Sequence, residues 1–423
     1  MNNKNGFLEK TVKVEGIAIA IVSFVVGLAM MSGDSTLASP GVGRLLSIPN
    51  YLSFLCIIIC FAISPKTFKP VPSLICLVVI YWGLQTFHTY SSYSQSLIKF
   101  STILMLVFCC LCDKSLLYGF KTYKVLLVIM ALLGIIAYVS YLFSLGLPYS
   151  IEPYYSRDGT TGWTYVNYRW AYIVQDFSGL RLCGLFNEPG LFGTIIALVL
   201  IADNINLKKI ENIILLISGF LSFSLAFVIL LVIALLIMIL HDFKNIKYLI
   251  IVSLSLFIIV PVLMEKFEIV AHLLERIRFE NGSLTGDNRT NDYFDFLYQQ
   301  MFSDGKALFG YGHGFNEIKQ SGGLSYKKVV IEYGFLGVAV MWGLLLKEAV
   351  KKSVNNNRRC WMFIVCFFAS IYQRPSVLSL NYFLILFGGL AYIMWTIEND
   401  NDQISFGNKN TYKSAEKLPS NNN

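Results

Sequence analysis

Long apolar runs broken by short polar stretches dominate this chain. The runs cover about 14–32, 46–64, 71–88, 97–112, 124–147, 189–203, 211–224, 226–240, 247–264, 328–346, 359–373 and 377–396. Each is about the length needed to cross a bilayer, so each predicts a membrane-spanning helix. The run from Ile213 to Leu240 is too long for one span. It divides at Ser222-Phe-Ser224, where two hydroxyls can satisfy a broken or re-entrant backbone. The pattern therefore predicts an all-α, polytopic membrane protein with about twelve spans, or about eleven if that run is one tilted helix. Two stretches are too polar and too long for simple connections: residues 148–188 and 265–327. Residues 1–397 read as one integral membrane unit, and 398–423, rich in Asn, Asp, Lys and Ser, as a disordered tail.

Composition agrees. Of 423 residues, 55% are hydrophobic and only 14% charged, with a mean hydropathy of +0.60, which excludes a large soluble domain. The first run lacks a small-residue cleavage site and reads as a retained span.

Lysine sets the expected orientation. With the N-terminus inside, Lys4, Lys10 and Lys13, Lys66 and Lys69, Lys114, Lys121 and Lys124, Lys208 and Lys209, Lys244 and Lys247, and Lys347, Lys351 and Lys352 all fall inside. That is the positive-inside pattern, and it favours the twelve-span count, with both termini cytoplasmic and both large loops outside. Arginine does the opposite. Arg44, Arg157, Arg169, Arg181, Arg276, Arg278, Arg289 and Arg374 lie outside, whereas Arg358 and Arg359 lie inside. The planar guanidinium suits phosphate and carboxylate, so the outer arginines point to an anion site. Pairing with local acids such as Glu152, Asp158 and Asp176 is the alternative.

The sharpest local signal is Arg181-Leu-Cys-Gly184-Leu-Phe-Asn-Glu188-Pro-Gly190, at the mouth of an apolar run. Charges at such a mouth are costly without partners, which makes them candidates for a site. Pro189 suits a first helical turn, and Glu188 would sit at the positive end of that helix. An ordinary helix cap is the competing reading.

The first loop carries Tyr149, Tyr154, Tyr155, Trp163, Tyr165, Tyr168, Trp170 and Tyr172. Such rings stack on sugar faces or line a membrane interface. The second opens with an amphipathic pattern over 265–280, then Gly286-Asp-Asn-Arg289 before a helical stretch, then Gly310-Tyr-Gly312-His-Gly314. The alternating glycines permit close backbone approach to a ligand, but they follow no strand, so a dinucleotide site is excluded. Eight of the nine cysteines lie in or beside apolar runs and the four histidines are scattered, so neither a disulfide framework nor a metal centre is expected. Nothing points to nucleic acid.

In order, Arg181-x-x-Gly184-x-Phe186-x-Glu188-Pro189, the Ser222-x-Ser224 break, Gly286-x-x-Arg289, Gly310-x-Gly312-x-Gly314 and Glu332-x-Gly334-x-x-Gly337 resemble the Wzy-type O-antigen polymerases and the related O-antigen ligases. The resemblance implies a GT-C-like glycosyltransferase of the bacterial inner membrane, active on its periplasmic face without metal, cofactor or nucleotide sugar. Its substrate would be an undecaprenyl-pyrophosphate-linked oligosaccharide. Its neighbours would be membrane lipids, with a chain-length regulator and a flippase as further partners. Ligases typically carry a His-Asn-type pair eleven positions before the first glycine of the last motif; here Gly323-Leu324 stands there, which favours polymerase. A flippase, with short even loops and a charged central cavity, is the reading from another class.

On this reading Arg181 and Arg289 face the pyrophosphate and Glu188 the acceptor hydroxyl. Arg157, Arg169, Arg278, Gly184, Tyr168, Trp163, Gly312 and His313 complete the expected substrate contacts.

Overall fold

Apolar sequence of helical length, uninterrupted by proline, has one way to satisfy its backbone without water: the α-helix. A computed structural model describes residues 21, 58, 69–90, 100–155, 161–176, 179–241, 279–280, 283–284, 292–319, 325–353, 357–374 and 379–415. The chain is mostly helical, with a few strands. The helices are α1 (Pro72–Phe87), α2 (Phe100–Phe108), α3 (Asp113–Leu142), α4 (Pro189–Ala202), α5 (Ile210–Leu221), α6 (Leu225–His241), α7 (Asp292–Ser303), α8 (Phe315–Ile318), α9 (Tyr326–Lys352), α10 (Arg358–Ser370) and α11 (Leu380–Ala415).

Every expected span among the described residues falls on one of these helices. Apart from Ile21 and Ile58, those at 14–32, 46–64 and 247–264 lie outside the described residues, as does most of the amphipathic stretch at 265–280. By length and composition, α3, α9 and residues Asn381–Asn399 of α11 can cross a membrane, and α1, α4, α5 and α6 are shorter apolar helices. These mark a membrane protein. The division at Ser222-Phe-Ser224 is real: α5 ends at Leu221, Phe223 adopts φ 44°, and α6 begins at Leu225. Helix α11 runs through the polar stretch expected as a disordered tail, as far as Ala415.

The expectation of an all-α chain needs correction in the first large loop. Strands β1 (Ser150–Tyr155), β2 (Thr161–Asn167), β3 (Tyr172–Asp176) and β4 (Gly179–Gly184) form an antiparallel meander in the order β1-β2-β3-β4. Two-residue strands β5 (Phe279–Glu280) and β6 (Ser283–Leu284) pair separately. Strands β2 to β4 bury residues on both faces, whereas Ser150, Ile151 and Pro153 of β1 are exposed. Val166, Ile173 and Leu182 join the helical core, while Tyr165, Tyr172, Val174 and Cys183 form a second cluster. Gly134 of α3 lets the sheet close in, because a Cβ there would meet Leu182 at 3.1 Å. Tyr138 donates a hydrogen bond to the Leu180 carbonyl at 3.2 Å, tying helix to strand.

Helix α4 is the buried axis, with every residue from Leu191 to Ala202 buried. Its 14 residues span about 21 Å. At its start lies the sheet; at its far end lies a cluster of lysines. Both ends are sites of concentrated charge inside an apolar bundle.

Candidate functional site

Strand β4 delivers Arg181 to the sheet end, and the turn after Gly184 delivers Glu188 to the start of α4. The two charges have different partners. Arg181 donates from Nε to the Ser222 carbonyl at 3.3 Å and from Nη2 to the Phe223 carbonyl at 3.1 Å. Those carbonyls belong to the break between α5 and α6, where the helical ladder is interrupted. A cation at the negative end of α5 satisfies them and offsets its dipole. Ser224 accepts from the Phe227 amide at 3.3 Å, opening α6 as a cap does. Its hydroxyl donates in turn to the Gly190 carbonyl at 3.3 Å. Gly193 permits this contact: a Cβ there would fall 2.4 Å from the Ser224 Cβ. Motif residues 181, 190, 193, 222 and 224 therefore form one construction.

Glu188 is the N-cap residue of α4, and Pro189 its first residue, as expected. The cap reading fails for the side chain, which makes no cap hydrogen bond. Its Oε2 instead accepts from Arg374 Nη2 at 2.5 Å, with the Glu188 and Arg374 side chains 23% and 12% exposed. Sequence reasoning counted Arg374 among the outer arginines without singling it out. The signal was present, an arginine before proline at the end of an apolar run, but its partner lies 186 residues away. Beside the pair, Tyr165 donates to the Asn187 carbonyl at 2.5 Å, and Asn187 Oδ1 is buried with no hydrogen-bond partner.

A second construction surrounds His313. Helix α9 is interrupted at Gly334, whose φ of 68° and ψ of 175° are open to glycine and strained for other residues. The loop 307–312 supplies what the interruption removes. Tyr311 and Gly312 amides donate to the Ile331 and Glu332 carbonyls at 2.8 and 2.9 Å, and the Phe335 and Leu336 amides donate to the Ala307 and Leu308 carbonyls at 2.9 and 3.1 Å. The glycine run does permit close approach, but to the chain's own backbone. A Cβ on Gly312 would lie 2.9 Å from Thr89 and Tyr90 backbone atoms.

His313 is nearly buried and bridges by backbone to His88 and Tyr90. Its Nδ1 shares a 2.6 Å hydrogen bond with the Tyr333 hydroxyl and lies 3.4 Å from Glu332 Oε2. Asn316 donates to Glu332 Oε1 at 3.0 Å. Nearby, burial raises the Glu317 carboxyl, but the Lys328 ammonium at 3.0 Å outweighs it and holds the group below the usual carboxylate range. The constructions approach one another where the Tyr326 ring meets Tyr372, two residues before Arg374. Glu332, Asn316 and Tyr333 are thus added to the expected His313.

The remaining expected residues scatter. Arg169 is exposed in the β2–β3 turn, with φ 70° and its amide bonded to Asn167 Oδ1 at 2.6 Å. Tyr168 is not presented to a sugar: it is 1% exposed, packed between Tyr149 and Trp170 at ring distances of 5.5 and 5.9 Å. The space beside Gly184 is filled by Phe192 and Met130. Trp163 pairs with Tyr154 in the meander. Arg157, Arg278 and Arg289 lie outside the described residues. Among the described residues no cluster of His, Cys, Asp and Glu is arranged to hold a metal ion.

The arrangement offers a half-open carboxylate–guanidinium pair at a helix mouth, above a helix break held by a second arginine. Such a pair can orient a hydroxyl and present positive charge to an anion. Compared with protein-family models, curated proteins and solved structures, the chain matches none.

Proposed function

We propose that this protein is an O-antigen polymerase-type glycosyltransferase of the bacterial inner membrane. In this reading it has about twelve spans in a GT-C-like arrangement, cytoplasmic termini and a periplasmic active face. The observation that carries the reading is the Glu188–Arg374 pair set above the Arg181-held break. Motif elements far apart in the sequence meet there, at the end of the bundle that holds Arg181 and Arg374.

The reaction moves a growing chain from undecaprenyl pyrophosphate onto a new lipid-linked unit. The acceptor hydroxyl attacks the anomeric carbon of the donor. The anomeric carbon–oxygen bond breaks, its electron pair leaves on the pyrophosphate, and the hydroxyl proton departs to an acceptor. Glu188, paired with Arg374, accepts a hydrogen bond from that hydroxyl and aims it. Arg374 and the outer-loop arginines, Arg289 among them, offset the charge that grows on the leaving group. Arg181 acts through the backbone: it sets the break on which α4 rests, and so positions Glu188. No metal, cofactor or nucleotide sugar takes part. The chain-length regulator and flippase of the same route are its expected partners.

A lipopolysaccharide gel from a deletion strain tests this. Core carrying a single repeat unit supports it, because export and ligation survive while polymerisation is lost. Core without any unit assigns the protein to ligation or export instead. Arg181→Ala is expected to abolish the ladder while protein remains detectable.

A further inference from the structure

The turn that ends α10 carries two side chains of different chemistry. Tyr372 and Arg374 stand two residues apart, so their Cα atoms are at most about 7 Å from one another. The turn fixes both. The Tyr372 amide donates to the Ala369 carbonyl at 3.3 Å, and the Gln373 and Arg374 amides donate to the Ser370 carbonyl at 3.2 and 2.9 Å. Arg374 holds Glu188, while Tyr372 is 49% exposed. Helix α9 meets the same turn from its start. The Tyr326 amide donates to the Tyr372 carbonyl at 3.3 Å, and the two rings lie 5.5 Å apart at 31°. A tilted pair of tyrosine rings is therefore anchored on the turn that supplies the guanidinium.

An exposed ring has two ordinary uses in such a protein. The face of a tyrosine is partly negative and matches the C–H groups on the face of a sugar ring. With only two χ angles, tyrosine loses little entropy on making that contact. The other use is anchoring at the membrane interface. The sequence placed the sugar-stacking rings in the first large loop, but there Tyr165, Tyr168 and Tyr172 are only 4%, 1% and 1% exposed. Among the described residues the exposed tyrosines are Tyr118, Tyr149, Tyr293 and Tyr372. Tyr118 lies on α3 beneath Lys121, Tyr149 just before β1 and Tyr293 on α7. Tyr372 alone among these four shares a turn with a member of the Glu188–Arg374 pair. Its place favours a ligand over an anchor.

We propose that Tyr372, backed by Tyr326, is a carbohydrate platform that stacks on the sugar whose hydroxyl Glu188 aims. That this sugar is the acceptor rests on the polymerase reading; the stacking itself requires only a saccharide. The two parts recognise different features. The carboxylate takes one hydroxyl. The ring covers a sugar face free of axial hydroxyls, because a hydroxyl pressed against it would lose its hydrogen bonds. Glu188 therefore sets orientation, and Tyr372 sets which sugar is accepted.

The test uses the full-length protein in nanodiscs with two readouts. Binding is read by saturation-transfer NMR with the repeat-unit oligosaccharide released from the host's own lipopolysaccharide. Chain extension is read with the lipid-linked repeat unit that a deletion strain accumulates. Tyr372→Leu keeps an apolar side chain without a ring face. It is expected to weaken oligosaccharide binding and raise KM for the lipid-linked unit about tenfold, with kcat within about twofold of wild type. Tyr372→Phe keeps the face and is expected to restore both. Tyr326→Leu, expected to cost about threefold in binding, covers the case in which Tyr372→Leu fails to fold. Tyr293→Leu is the control for an interfacial ring and is expected to change neither readout. Binding that depends on Tyr372 without chain extension by the wild type would keep the platform and remove the polymerase reading. Chain extension with a wild-type KM in Tyr372→Leu would keep that reading and overturn the platform, as would no binding by the wild type or an equal loss in Tyr293→Leu.

Discussion

The two ends of α4 each carry an acid held by bases, and they treat it differently. At the lysine end Asp203 is 4% exposed and receives Lys124, Lys209, Asn212 and Tyr392. Burial alone would raise its carboxyl, but the hydrogen bonds from Lys124 and Lys209 hold it below the usual range. At the sheet end Glu188 is 23% exposed, opposite the Arg374 fork, in a turn that also leaves Asn187 Oδ1 without a partner. The saturated acid ties helices together. The partly exposed one lies where water and a ligand can reach it. A charged residue at a helix end is therefore read from how deeply it is buried, not from its presence alone.

Substitutions can sharpen or break that contrast. Lys124→Met should have the largest effect on stability. It removes a buried partner and leaves Asp203 short of charge in the interior, costing about 3–5 kcal/mol. Thermal unfolding in detergent would show the loss, and a wild-type midpoint would contradict the structural role. Arg374→Met leaves a carboxylate that water can reach and should cost less, about 1–3 kcal/mol, while chain growth stops. If it destabilised the protein as much as Lys124→Met, the two ends would not differ as described. Arg181→Lys keeps the charge but loses the fork that grips two carbonyls, so about 1 kcal/mol of stability and part of the ladder length should go.

The smallest expected effect is that of pH on the lysine end. The Asp203 carboxyl is lowered, so its stabilisation is present above the ordinary carboxylate value and is lost as pH falls through the lowered one. For Lys209, burial works to lower the ammonium, but bonding to Asp203 prevails and raises it above the usual lysine value. Its contribution is present below that ordinary value and is lost as pH rises through the raised one. Between about pH 5 and 10 the cluster should therefore add no slope to stability. A slope that Asp203→Asn abolishes would show otherwise.

Much of this was legible in the sequence, for identifiable reasons. Apolar runs report helices directly, and the hydroxyls at Ser222 and Ser224 marked the break. The lysine rule put Lys124, the Lys208–Lys209 turn and Arg359 on one side, and those residues do converge at one end of the bundle. Lys352 and Asp113 pair as well, joining two more segments given to that side.

The meander was missed. Its strands are short, and its tyrosines resemble a sugar-binding or interfacial belt as much as a core. Yet the β-branched and aromatic pairs Tyr165-Val166 and Ile173-Val174, on either side of Tyr168–Ala171, are a hairpin signal. Tyr168 and Tyr172 turn their rings inward, Tyr168 against Tyr149 and Trp170 and Tyr172 against Tyr165. Arg374 and Glu332 were visible as residues but not as partners. Pairing across 186 positions for the first, and contact with a histidine from another loop for the second, are decided by packing rather than local pattern.

The central claim is that the half-open acid at the sheet end serves chain growth. The direct test is the lipopolysaccharide profile of a strain whose only copy carries Glu188→Gln, with its membrane protein level matched to wild type. Glutamine keeps the shape but loses the charge that holds Arg374 and accepts the acceptor hydroxyl. The account predicts core bearing one repeat unit and no ladder. A full ladder at matched protein level would contradict it.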